Sequence, residues 1–218
     1  VDVTWKMDYN GLNQLSKRYN GSTWDGGTER YGYSYDAGGN LTQVLKETKS
    51  GTWSQAEKWV YEWNPRDQMT RAIKYTTTAN NVASVKYEYC LSCDSALSKR
   101  FEYGAGTGAN PGTLLTGKRY EYDGLNLLRA DELYDNDANG LEDNDGWRRI
   151  EVNTHRPGSL GALTGKRVYS YSSGTSGTPS GQNDYTYTYD AVGNVVAVYN
   201  ANSTNRGNEL YFFSQDAF

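Results

Sequence analysis

The chain has 218 residues, a formal net charge of −4 and 36% apolar residues, with 20 Tyr against 4 Phe and 24 Gly against 4 Pro. So mild an acidity gives neither the basic face of a nucleic-acid binder nor a polybasic membrane patch, and no apolar run is long enough to span a bilayer. Abundant aromatics exclude a disordered composition, and Tyr, Thr, Val and Trp among frequent Gly and Asn favour strands and tight turns over helices. Val1 is not a Met, so the chain is expected to begin inside a longer product.

In chain order, the first signal is YNGLNQL at 9–15, a short turn after an aromatic residue. Next come Tyr31, Tyr33 and Tyr35, alternating with Gly32, Ser34 and Asp36. Period-two alternation places the tyrosines on one face of a strand. Asp36 can then accept backbone N–H groups in an Asx-type turn, Gly39 and Asn40 tolerate positive φ, and Leu41 opens a returning strand. The unit is therefore a β-hairpin.

Degenerate copies follow: YEWNPRDQMT at 61–70, with Trp63 at the tyrosine position, and YEYCLSCDSAL at 87–97, with Tyr87 and Tyr89. The anchor aromatics Tyr9, Tyr35, Trp63 and Tyr89 lie 26, 28 and 26 residues apart. That period suits two strands and their connections, stacked hairpin on hairpin. Tyr120, Tyr122 and Asp123 begin another copy, YDGLNLL, and LTGKR occurs twice, at 115–119 and 163–167. Insert-like stretches are expected near 134–147 and 172–184. The last clear copy is YTYDAVGNV at 187–195, with Tyr187, Tyr189, Asp190, Gly193 and Asn194. A lone hairpin is marginal in water, so each unit must bury its tyrosine face against its neighbours. These residues are read as structural.

YSYDAGGNL and YTYDAVGNV resemble the tyrosine–aspartate (YD) repeat of the Rhs family. That family includes bacterial Rhs toxins, the C component of insecticidal toxin complexes, wall-associated proteins and teneurins. HRPGSLGAL at 155–163 and LYFFSQDAF at 210–218 resemble two further segments of such chains. The resemblance implies an all-β fold of repeated antiparallel hairpins in a spiralling sheet, part of a hollow shell or an open stack. It implies residues 1–218 as a single hairpin array, a fragment of a larger repeat protein too short to close a shell. The family's autoproteolytic aspartate motif would lie beyond Phe218, so no catalytic residue is carried over.

Asp135, Asp137, Asn139, Leu141 through its carbonyl, and Asp143 match much of a calcium-loop spacing. Gly146 stands where a bidentate Glu is expected. The alternative is a solvated acidic loop. Cys90 and Cys93 are too few for a metal site and sit at a turn, which leaves a turn disulfide or two free thiols. His155 has no paired nucleophile and reads as a turn residue. Asn20, Asn40 and Asn202 begin N-glycosylation patterns, Asn40 being read as a turn residue. Trp5, Trp24, Trp53, Trp59 and Trp147 would be sugar-stacking platforms if exposed.

Three functions compete. The first is a non-catalytic part of an extracellular or toxin-encapsulating shell, whose partners are neighbouring repeats of the same or identical chains and an enclosed polypeptide. The second is an extracellular adhesin that holds surface carbohydrate. The third is a surface filament built by strand-edge pairing. An enzyme is not expected, and a secreted or cell-surface location is.

Overall fold

In the computed structural model, residues 4–76, 80–91, 95–158, 162–190, 193–202 and 207–212 are described. They form fifteen strands, with no helix among the described residues. In order these are β1 (Lys6–Tyr9), β2 (Leu15–Tyr19), β3 (Glu29–Tyr35), β4 (Leu41–Ser50), β5 (Thr52–Trp63), β6 (Met69–Tyr75), β7 (Asn81–Tyr89), β8 (Leu97–Tyr103), β9 (Leu114–Asp123), β10 (Asn126–Tyr134), β11 (Gly146–His155), β12 (Leu163–Ser170), β13 (Gly181–Tyr189), β14 (Val195–Asn200) and β15 (Glu209–Phe212). Spatial order follows chain order in one open antiparallel sheet. The all-β array of hairpins expected from the alternating tyrosines is what forms.

The chain divides into two compact units, residues 1–87 with 101–115, and residues 88–100 with 116–218. In the first unit, β1 to β7 pair each with the next. In the second, β9 to β15 do the same. The stretch 135–145 is the loop between β10 and β11. The second expected insert is shorter than its composition suggests. Gly181 to Asp184 belong to β13, because Asp184 pairs with Arg167 across the ladder.

A one-layer sheet leaves few places for an apolar core, and most strand positions are half-buried. The buried apolar set is small: Tyr19, Ala72, Ile73, Tyr75, Phe101, Leu114, Ala130, Leu133, Ala197 and Val198. Long amphipathic side chains cover the faces instead, laying their stems over neighbours and keeping their polar tips wet. In the first unit Arg30 lies over the rings of Trp24 and Trp53, at 4.6 and 4.3 Å. Its Nε donates to Glu47, directly opposite on β4, at 2.7 Å. Arg18 lies 4.1 Å from the Trp5 ring centroid, and Lys46 pairs with Glu29 at 2.9 Å.

The second unit repeats the device. Arg148 covers Tyr171 at 4.2 Å, pairs with Glu132 at 2.7 Å, and donates to the carbonyls of Ser173 and Ser176 at 2.8 Å. The Tyr134 ring leaves no room for a Cβ at Gly146 or Gly177, which a ring atom would approach to 2.7 and 2.3 Å. Glycine in the Gly/Ser-rich stretch is thus required by close packing.

Tyr33, Tyr61 and Tyr187 stand two residues before an anchor aromatic, opposite Val44, Ala72 and Val198. Desolvation first, and nearby negative charge next at Tyr61, push their phenols above the ordinary value. At Tyr33 and Tyr187 the cations Arg18 and Lys166 pull the other way without reversing the shift. The folded state therefore holds these protons more tightly than the unfolded chain. The stabilisation is complete below about pH 10, the unfolded tyrosine value, and disappears as pH rises through the higher folded values. Phenolate absorbance is expected to show late-titrating tyrosines that ionise together with loss of strand circular dichroism. Titration of all tyrosines near the free value, with the fold intact, would contradict it.

Candidate functional site

The feature that recurs is the junction between hairpins. At the first turn Asn10 N–H donates to the Gln14 carbonyl at 2.9 Å, and Gln14 N–H returns a bond to Asn10 Oδ1 at 2.9 Å. Asn10 Nδ2 also donates to Gln14 Oε1 at 2.7 Å. The turn at Asp36 has the same frame, with Asn40 N–H on Asp36 Oδ1 at 2.8 Å and Asn40 Nδ2 on Oδ2 at 3.1 Å. Asn64 with Gln68 repeats the first version, and Asp190 with Asn194 repeats the second.

The fourth turn position has positive φ in each: Asn13, Gly39, Asp67 and Gly193. Two chemistries thus close one turn. A carboxylate accepts from a short amide, or a short amide donates to a longer one. The Asn40 N–H, then the Asn40 side chain, hold the Asp36 carboxyl below its ordinary value.

Each of these turns ends in a β-bulge beside the anchor aromatic. The register shifts at Tyr9, Tyr35, Trp63 and Tyr189. The aromatic then reaches back to the preceding hairpin. Tyr35 Oη donates to the Leu15 carbonyl at 2.9 Å, Trp63 Nε1 to Leu41 at 2.9 Å, and Tyr189 Oη to Leu163 at 2.6 Å. All three acceptors open a returning strand just after its turn. Neighbouring turns also touch: Asn40 Nδ2 donates to Asp67 Oδ1 at 2.8 Å, and Gln14 Nε2 to the Gly39 carbonyl at 3.3 Å. The Trp63 bond predicts a measurable cost. Trp63→Phe strips a donor from a partly buried carbonyl and is expected to lower stability by about 1 kcal/mol, read as an earlier urea midpoint. An unchanged midpoint would sink that role.

The other repeat positions depart from this frame. Tyr120 and Tyr122 lie on β9, opposite Ala130 and Leu127. Asp123 faces Asn126 across a two-residue loop in which Gly124 has φ +57°. Tyr87 and Tyr89 lie on β7, followed by a wider turn in which Cys90 N–H bonds the Ala96 carbonyl. Cys90 is disulfide-bonded, and Cys93 lies outside the described residues. His155 stands at an anchor position, since the β11–β12 register shifts between Thr154 and His155, opposite Leu163. Its Nδ1 is buried without a hydrogen-bond partner.

The twice-written LTGKR also has a structural meaning. Arg119 faces Asp131 on β10 and bonds it at 2.8 Å, while Arg167 faces Asp184 on β13 and bonds it through two nitrogens at 2.6 and 2.9 Å. Arg167 holds the Asp184 carboxyl below its ordinary value. Asp131 is buried, with Arg129 at 3.1 Å on its other side. A groove of about 360 Å³ runs past Arg149, Val152, Arg167, Tyr169 and Asp184.

In the acidic loop the structure brings together Asp135, Asp137 and Asp145, each offering an oxygen within 4.8 Å of the others. Asp145 is buried and Asp143 is exposed, outside this group. Asn139 donates to Asp137 through its N–H and its Nδ2, and Leu141 is half-buried. Desolvation opposes the charge on Asp135. The N–H groups of Gly140, Ala138 and Asp137 outweigh it and hold the carboxyl below its ordinary value.

The tryptophans offered as sugar platforms are half-buried. Trp5, Trp24, Trp53, Trp59 and Trp147 each carry a cation of this chain over the ring. Asn20 and Asn40 use their side chains in hydrogen bonds, Asn20 accepting from the N–H groups of Thr28 and Glu29.

No protein-family model matches the sequence, and no curated protein does. Among solved structures, the chain is similar to a TcdB2-TccC3-TEV chain at 15% identity and a TM-score of 0.31, covering 90% of this chain and 11% of that one. TcdB2-TccC3 without its hypervariable C-terminal region gives 14% identity and a TM-score of 0.32 over the same shares. A porin-like protein from Bacteroides uniformis ATCC 8492 gives 12% identity and a TM-score of 0.30, covering 79% of this chain and 82% of that one. The chain thus spans about a tenth of the toxin-complex chains it is similar to. Likeness at this level places the chain in no family.

Proposed function

We propose that these residues form a non-catalytic stretch of a YD-repeat wall of the Rhs kind, placed outside the cell and facing an enclosed polypeptide. The observation that carries this reading is the repeated junction. Tyr35, Trp63 and Tyr189 each bond the first carbonyl of the preceding returning strand, so hairpins are joined by one rule. Such a rule extends a sheet and performs no bond chemistry. The bonded Cys90 suits an oxidising location. The cation-covered tryptophans favour a wall over a carbohydrate-stacking adhesin.

The test is negative-stain imaging of the natural protein that carries these residues. Hollow particles containing polypeptide are the expected result. Filaments, or particles without an interior, would overturn the reading.

A calcium clip in the β10–β11 loop is part of the proposal, resting on the convergence of Asp135, Asp137 and Asp145. Calcium at about 1 mM, the range of extracellular sites, is expected to slow proteolysis of residues 135–145, and Asp145→Asn to remove the effect. Equal cleavage with calcium and with chelator would exclude it.

A further inference from the structure

Tyr9 occupies the anchor position of the first hairpin, with the same register shift as Tyr35, Trp63 and Tyr189. Those three donors end on a carbonyl of the preceding returning strand. Tyr9 has no strand before it. Its side chain is 57% exposed beside Met7 at 51%, and its hydroxyl reaches only the Met7 sulfur, at 3.8 Å. The outer backbone edge of β1 is likewise unpaired, since β2 is its one neighbour in the sheet.

We infer that β1 is a docking edge for a returning β-strand, one that follows a hairpin turn and offers its first carbonyl to Tyr9. The inference rests on the repeat reading proposed above and names the partner of that wall at this edge. The occupant is not the opposite edge of a second copy. β14 is the returning strand of its hairpin and β15 runs antiparallel to it, so β15 is an outgoing strand like β1. An outgoing strand carries no post-turn carbonyl at the required place. The returning strands β2, β4, β6, β12 and β14 already have a neighbour on both sides. The occupant is therefore a further hairpin of the same type, and strand-edge polymerisation of this chain alone lacks the matching half.

The probe is a synthetic hairpin of sequence YSYDAGGNLTQVLKETKS, residues 33–50 of this chain. Its returning strand carries the Leu41 carbonyl that Trp63 uses. Labelled peptide is added to the intact protein, and binding is followed by fluorescence anisotropy and by amide hydrogen exchange. Protection is expected over residues 6–9 and not over 209–212. Tyr9→Phe, which leaves the exposed ring in place, is expected to weaken binding roughly two- to tenfold through loss of one hydrogen bond. Absence of binding, equal protection at β15, or indifference to Tyr9→Phe would each overturn the inference. So would dimers of the chain that protect β1 without peptide. Hollow particles from the natural protein together with no peptide binding would remove this inference and leave the wall reading standing.

Discussion

Asn81→Asp is expected to be among the most damaging single-atom changes available in this chain, and worse than Asn81→Ala. Asn81 is 1% exposed. Its Nδ2 donates to the Gly108 carbonyl at 2.9 Å and the Asn110 carbonyl at 2.7 Å, while its Oδ1 accepts from Gly106 N–H at 3.1 Å. Alanine strands the Asn110 carbonyl and opens a cavity, a cost of about 2–4 kcal/mol. Aspartate keeps the shape but aims a buried carboxylate at two carbonyl oxygens, and the uncompensated charge raises the cost to about 4 kcal/mol or more. Urea denaturation of both variants checks the ranking. Faster amide exchange at Gly106 and Gly108 would locate the damage in the loop before β9. If the isosteric aspartate proves the milder change, the hydrogen-bond directions assigned to Asn81 are wrong.

Arg30→Ala comes next. Its guanidinium stands between the rings of Trp24 and Trp53 and bonds Glu47 and Asp25. The side chain is only 13% exposed, so solvent screens these contacts weakly. Glu47 is 19% exposed and would be left without its opposite charge. The loss is expected to be about 2–4 kcal/mol, or roughly 5–15 °C in midpoint for a domain of this size. Arg30→Lys should recover part of it, since a point charge cannot fill the fork between two rings and two carboxylates. Full recovery by lysine would mean that charge alone matters there. Tryptophan fluorescence should change in the same variants, because Trp24 and Trp53 lose their covering cation.

The sequence carried the hairpin frame because its cues are local. Asp36 and Asn40 are four residues apart, and the chemistry of an Asx turn needs no distant partner. The pairs Asn10–Gln14 and Asn64–Gln68 were harder to read as the same turn, because they exchange carboxylate for amide and lengthen one side chain. With the frame known, an amide or carboxylate followed four residues later by Asn or Gln is the signal. His155 at an anchor position was illegible, since its turn shares no residue type with the others. So was Asn81, whose partners lie 25 to 29 residues away. In the acidic loop, spacing by twos selected Asp143, whereas the chain folds back to bring Asp145 to Asp135 and Asp137. Alternation in a linear pattern does not describe a loop that reverses direction.

The junction rule also bears on how such a chain can change length. Every strand meets its two chain neighbours, and each anchor aromatic reads one carbonyl on the hairpin just before it. Energetically this is a one-dimensional lattice, whose sites are hairpins and whose couplings join adjacent sites. Duplicating or deleting one whole period of 26 or 28 residues, as between Tyr9, Tyr35 and Trp63, restores the same coupling at the new seam. Adding a single strand instead would set two outgoing strands side by side and break it. Recombination in whole hairpins is therefore the neutral step for this architecture, and its interior can be resized without redesigning any surface.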